Sequence, residues 1–240
     1  MSAENYAKQG YQQLQRENYQ QALTHFQQAL AKEDTHSESL YGAARANFKL
    51  KHYEESIRTF DRLINLLPNN ATYFSERGVA LHWTGNNQLA LEDFDRAVEL
   101  EPENPYRYSS RAYIKDRLRD YQGAIDDYSK AIELDPEDAI AYNNRGLVEE
   151  KLGYAEKAQK SYNRADQLDQ RSNGNAMPTV EQPERQDSDN QEFAKSLNGH
   201  SNSRPPGWKD YWPEIRSVFT SRGQFREFVQ FVRNPFRKTQ

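Results

Sequence analysis

Small and aromatic residues recur along this chain at a fixed interval, set in a polar frame. Ala124, Tyr128, Ala131, Leu134 and Pro136 stand among Asp, Ser, Lys and Glu residues. The same slots, 34 residues earlier, hold Ala90, Phe94, Ala97, Leu100 and Pro102, and one step further back Ser56, Phe60, Leu63, Leu66 and Pro68. A period of this length predicts an array of repeated units. Each unit reads as a pair of helices closed by Pro, which cannot continue a helix and biases the residue before it away from helical geometry. One unit cannot bury its apolar face alone, so at least about three must stack to be stable.

The pattern resembles the tetratricopeptide repeat (TPR) family: Gly on the first helix, then small, aromatic and small residues and Pro on the second. Gly78, Ala90, Phe94, Ala97 and Pro102 fill these positions in one unit. Ala112, Ala124, Tyr128, Ala131 and Pro136 fill them in the next, with Ala in place of Gly. Gly146, Ala158, Tyr162 and Ala165 follow, with Gln170 in the Pro slot. Upstream, Ala44, Ser56, Phe60 and Leu63 form a degenerate unit, and Gly10, Ala22, Phe26 and Ala29 form the first, with Asp34 in the Pro slot. The resemblance implies an all-α solenoid of antiparallel helix pairs over residues 3–171, in units of about 3–36, 37–70, 71–104, 105–138 and 139–171. It implies a generic binding scaffold, a non-enzymatic adaptor for a protein or peptide ligand.

The first helices of this family line a concave groove. Carried over position by position, that groove holds Tyr11, Tyr41, Arg45 and Phe48 in the first two units. Tyr106, Tyr113 and Leu147 follow in the last two, with Trp83 nearby. At least three of the rings are expected to stand exposed as anchors, because aromatic side chains bring large contact area at low entropy cost. Chaperone-binding members hold a C-terminal carboxylate with Lys, Asn and Arg. The matching positions are Ala7, Tyr11, Gly42, Thr72 and Glu76, and shifting by one or two units does not supply the cations. That clamp is not expected, since a carboxylate needs charge-assisted donors. Arg77, Arg111 and Arg145 recur where the family usually has Leu. The expectation is structural: Asp93 pairs with Arg111 and Asp127 with Arg145 from the preceding second helix, while the stems pack as Leu would.

Composition narrows the remaining choices. The 240 residues are 35% hydrophobic and 28% charged, which suits a solenoid with little core per residue. There is no Cys, which excludes disulfides, thiolate catalysis and Cys-ligated zinc. The five His residues form no helical ligand pair, so no metal is expected, and no phosphate-cradling Gly loop is present, so no cofactor is expected. Adjacent acids such as Asp126-Asp127 and Glu149-Glu150 point to different faces of a helix and nominate no catalytic dyad. The opening residues Met1–Tyr6 carry no basic or apolar run, so no signal peptide is expected, and the cytoplasm is the default location.

Charge and composition change after the repeats. Residues 1–171 carry 22 Lys and Arg against 28 Asp and Glu, a balance of −6. Residues 172–206 are polar and punctuated by Pro and Gly, and read as a disordered linker. Residues 204–240 carry eight Lys and Arg against three Asp and Glu, a balance of +5. Within 207–236, Trp208, Trp212 and Phe219, then Phe225 and Phe228, recur at helical spacing and predict short amphipathic helices. Three uses compete for this tail: docking on its own repeats, insertion into a partner's groove, and adsorption to an anionic membrane. A nucleic-acid partner is not expected, because the repeat array is acidic.

Overall fold

Five polar residues open five helices of near-equal length. In the computed structural model, which describes residues 1–172, α1 (Ala3–Gln15), α3 (Ser37–Lys49), α5 (Ala71–Trp83), α7 (Pro105–Arg117) and α9 (Ala139–Lys151) begin at a constant step of 34 residues. Their N-caps are Ser2, His36, Asn70, Asn104 and Asp138, and each side chain accepts a backbone N–H of the first turn. These bonds satisfy donors that a helix start leaves unpaired. The second helices are α2 (Tyr19–Leu30), α4 (Tyr53–Leu66), α6 (Asn87–Leu100), α8 (Tyr121–Leu134) and α10 (Ala155–Ser172). No strand occurs among the described residues.

Each pair is joined by the same tight turn. The backbone is left-handed at Glu17, Lys51, Gly85, Arg119 and Gly153, again one step of 34 apart. In the first unit Glu17 N–H donates to Leu14 O at 2.9 Å and Asn18 N–H to Gln13 O at 2.9 Å, and the other four turns repeat this pair of bonds. This is the Schellman arrangement, which satisfies the last carbonyls of the first helix and reverses the chain into the second.

The core forms between helices of one pair and between neighbouring pairs. Phe26, Phe60, Phe94, Tyr128 and Tyr162 are buried on the second helices, flanked by buried Ala22, Ser56, Ala90, Ala124 and Ala158. Phe26 lies against two glycines at once, Gly10 of its own unit and Gly42 of the next, and a Cβ on either would run into its ring. Close helix approach here requires the missing side chain. No described helix is long and apolar enough to cross a membrane.

The arginine ladder is structural, but its partners differ from those expected. Arg77 is bidentate to Asp93 at 2.6 and 2.9 Å and donates to Asp61 at 2.7 Å. Arg111 is bidentate to Asp127 at 2.7 and 2.8 Å and donates to Asp95 at 2.9 Å. Asp93 therefore pairs with Arg77 rather than Arg111, and Asp127 with Arg111 rather than Arg145. A guanidinium on a first helix sits between two second helices and reaches 16 residues forward and 16 back. Asp93 and Asp95 are two residues apart, about 200° around α6, so one faces its own unit and the other faces the next. Arg145 meets hydroxyls instead, Ser161 at 3.2 Å and Ser129 at 3.3 Å, with Glu149 at 3.6 Å. The expected linker and the tail residues Trp208, Trp212, Phe219, Phe225 and Phe228 lie outside the described residues.

Candidate functional site

First helices of adjacent units are joined mainly through long side chains, several of them related by a step of 35 residues. Tyr41 Oη donates to Glu76 Oε1 at 2.6 Å. Arg107 donates to Thr72 Oγ1 at 3.1 Å and to Ser75 Oγ at 2.9 Å. Lys151 Nζ donates to both carboxylate oxygens of Asp116 at 2.7 and 2.8 Å. Tyr11 Oη ties α1 to α3 by donating to the Glu38 carbonyl at 2.9 Å. The face built from α1, α3, α5, α7 and α9 is thus crossed by polar side chains, whereas the interior between helix pairs is mostly aromatic, Leu and Ala.

Glu76 is the chemical centre of the face. It is 1% exposed, and its Oε2 has no hydrogen-bond partner among the described residues. Burial pushes its carboxyl up to about 7, against the opposing pull of Arg45, the Tyr41 hydrogen bond, Arg107 and Lys49. Desolvation penalises a charged carboxylate more strongly than these neighbours favour it. Burial, with Glu76 beside it, raises the Tyr41 phenol well above its usual range. The Arg45 guanidinium lies 5.6 Å from the centre of the Tyr41 ring. Lys49, one turn after Arg45, has its ammonium pKa lowered by burial first and then by Arg45.

Next to this centre lies an aromatic cluster. Trp83 stacks on Tyr53 with ring centres 5.8 Å apart and planes 16° apart, and Tyr53 packs on Phe48 at 5.2 Å. His82 meets the Tyr113 ring edge-on at 5.5 Å and has its Nδ1 2.6 Å from Asn87 Oδ1. Burial lowers the His82 pKa. Arg117 covers the other part of Tyr113 at 4.7 Å.

Of the eight residues expected in the groove, Tyr11, Tyr41, Arg45, Tyr106 and Leu147 are half-buried. Phe48 and Tyr113 are buried and Trp83 is 40% exposed. The expectation of three exposed rings is corrected by this burial: Phe48 packs on Tyr53 of its own second helix, Tyr113 lies between His82 of the preceding unit and Arg117, and Tyr41 is shared with Phe60 and Tyr73. Glu76 stood in the sequence only as a position without the clamp's cation, Ser109 and Asn144 carried no role of their own, and Lys49 was not singled out. Ser109 Oγ and both polar atoms of Asn144 are buried without a hydrogen bond among the described residues, and they stand in the same 35-residue relation as Tyr41 and Glu76. That lateral offset was the available signal. Glu4, His36 and Glu38 bring one ligand-type atom each within 4.8 Å of one another. His36 Nδ1 accepts the Ser39 N–H at 3.2 Å, so Nε2 carries a proton and faces Glu4 at 3.4 Å, a poor arrangement for a metal.

Family models described as tetratricopeptide repeat match residues 13–75, 52–105 and 139–172, and one described as TPR repeat matches residues 120–153. No curated protein matches the chain by sequence. Among solved structures, a crystal structure of MamA protein is 19% identical with a TM-score of 0.66, over 75% of this chain and 98% of that one. MamA from Desulfovibrio magneticus RS-1, residues 41 to the end, is 22% identical with a TM-score of 0.66, over 70% of this chain and 96% of that one. YrrB, described as a TPR protein with an unusual peptide-binding site, is 21% identical with a TM-score of 0.58, over 68% of this chain and 84% of that one. At these identities the likeness concerns the fold.

Proposed function

The chain belongs to the tetratricopeptide repeat family and is a protein–protein interaction scaffold, and from that premise we propose that its first-helix face binds a peptide or helical segment of a partner. One observation carries the reading: this face retains buried polar atoms without partners, on Glu76, Ser109 and Asn144. Each such atom costs about 1–3 kcal/mol. No hydrogen bond within the helix packing uses them, and because they are closed to solvent the N–H and C=O groups of a bound backbone reach them as the first helices give way to the ligand. Trp83, at the end of α5, supplies an exposed aromatic anchor. That YrrB is described as having an unusual peptide-binding site supports the same use of this fold. The role is non-enzymatic and cytoplasmic.

Selection of a displayed random-peptide library on the full chain tests the assignment. Enriched peptides are expected to lose capture on Trp83→Ala and on Arg45→Ala, with helicity at 222 nm unchanged. Peptides captured equally by both variants would remove the first-helix face as their site.

A second reading rests on the composition of residues 204–240, with eight cations against three acids and Trp and Phe at helical spacing. These residues tether the scaffold to an anionic membrane, or compete as an internal ligand for the same face. Flotation of the full chain with anionic but not neutral vesicles supports the tether. Absence of flotation, with peptide capture rising on deletion of 204–240, supports the internal ligand.

A further inference from the structure

The proposed peptide site can be given a chemical preference, which rests on the reading of the first-helix face above. Along that face, the 35-residue step matches a residue in the last turn of one first helix with one in the last turn of the helix before. Lys151 finds Asp116 there, and both carboxylate oxygens accept from its ammonium. The same step back from Trp83 leads to Phe48, and back from Arg117 to His82. Back from Lys49 it leads to Leu14, which packs with Ala22, Leu23 and Phe26 and offers no charge.

Lys49 is therefore left as a half-buried ammonium with no ion pair or hydrogen bond among the described residues. Burial and the Arg45 guanidinium both work against its charge, while Glu17 and Glu76 favour it only through space. Glu76 is buried with Oε1 taken by Tyr41, and neither acid forms an ion pair with Lys49 among the described residues. A partly desolvated cation without a counter-charge is costly, and an anion delivered to it recovers that cost.

We propose that Lys49 and Arg45, on consecutive turns of α3, form a subsite that receives one Asp or Glu side chain of the bound segment. Tyr41 walls the subsite on the Arg45 side. The ligand carboxylate takes the role at Lys49 that Asp116 has at Lys151, reaching the ammonium from outside the Leu14 packing. The repeat array carries −6 overall, so an acidic run is repelled at long range while a single acid is held at short range. The preferred segment has one acidic residue flanked by neutral or basic ones.

The test uses peptides selected on the full chain, each made with a free and an amidated C-terminus. Replacing the acidic residue by Asn or Gln is expected to weaken binding roughly tenfold or more. On Lys49→Met, which keeps the aliphatic stem, the same replacement should change binding less than about twofold. Leu14→Glu, which places an internal carboxylate at the Asp116-equivalent position, should abolish the preference independently, with a lower urea midpoint because the Leu14 packing on Ala22, Leu23 and Phe26 is lost. Selected peptides without an acidic position, or an intact preference in both variants, overturn the subsite and leave the peptide-binding face standing. Affinity that depends on a free C-terminus rather than on the acidic side chain overturns the side-chain assignment. Selection of no peptide at all removes the face and the subsite together.

Discussion

The five interhelical turns make one position of the repeat a controlled comparison of residues. Gly85 and Gly153 hold their positive φ at no steric cost, while Glu17, Lys51 and Arg119 hold φ between 59° and 65° with a Cβ present. An L-residue pays about 1–2 kcal/mol for that geometry, and Gly gives part of it back through a more flexible unfolded chain. Lys51→Gly should therefore stabilise the protein by about 0.5–1 kcal/mol, and Gly85→Ala should destabilise it by about 1 kcal/mol. Nothing lies within 4 Å of a Cβ built at Gly85, so that loss is one of backbone conformation alone. Urea midpoints read both. Glu76 carries a second residue-scale consequence. Its carboxyl is raised from near 4.5 to about 7 in the folded state, so between those values the native chain binds more protons than the unfolded one. Stability from this group is fully present below about pH 4.5 and is lost as pH rises through about 7. Glu76→Gln cannot titrate, so its stability relative to the parent should improve from pH 5 to pH 8, by on the order of a few kcal/mol. A difference that is flat with pH would show that Glu76 ionises normally.

At the scale of the helix, the ladder arginines decide how tightly neighbouring units are joined. Arg77 and Arg111 each bridge two second helices through carboxylates, one of them nearly buried, and each lies over a ring three residues before it, Phe74 or Tyr108. Arg77→Leu keeps the stem packing but leaves Asp93 buried without its guanidinium, a change that costs about 3–5 kcal/mol in comparable sites. Arg145→Leu removes hydroxyl hydrogen bonds, a longer contact to Glu149 and the contact over the Tyr142 ring, with no bidentate carboxylate lost, and should cost about 1 kcal/mol. Chemical denaturation of the two variants checks the order, and equal losses would show that the carboxylates add nothing. This ladder also marks the limit of what could be read from the amino acids. Helix pairs, their small-aromatic-small packing and the row of arginines were legible because each depends on positions that recur every 34 residues. The partner of each Arg was not, because Asp93 and Asp95 differ only in which side of α6 they occupy. The charged centre of the face was hidden for a related reason. Tyr41 and Glu76 meet through a 35-residue offset between different positions of the repeat, so comparing equivalent positions never sets them side by side. Burial of Tyr113 likewise draws on the preceding unit, whose His82 meets its ring edge-on.

Across the array, each helix pair meets only its neighbours in sequence, and stability is then a chain of local terms rather than one shared core. The ties along the first-helix face are unevenly spread. Tyr41–Glu76 joins the second and third units, Arg107 joins the third and fourth through Thr72 and Ser75, and Lys151–Asp116 joins the fourth and fifth. Of the three ladder arginines the last makes the weakest rung, since Arg145 meets Ser129 and Ser161 where Arg111 meets Asp95 and Asp127. The Lys151–Asp116 pair is therefore the principal charged tie holding α9 to α7. Its removal leaves Asp116, 8% exposed, with a buried carboxylate and no cation on it. Lys151→Met should lower the opening free energy of α9 and α10 by about 1–3 kcal/mol, seen as faster amide exchange in those two helices. Helices α1 to α6 should keep their exchange rates, because no contact of theirs is altered. Uniform acceleration across all described helices would mean instead that the five units open as one cooperative body, and that ligand capture at Lys49 and loosening at Lys151 cannot be separated.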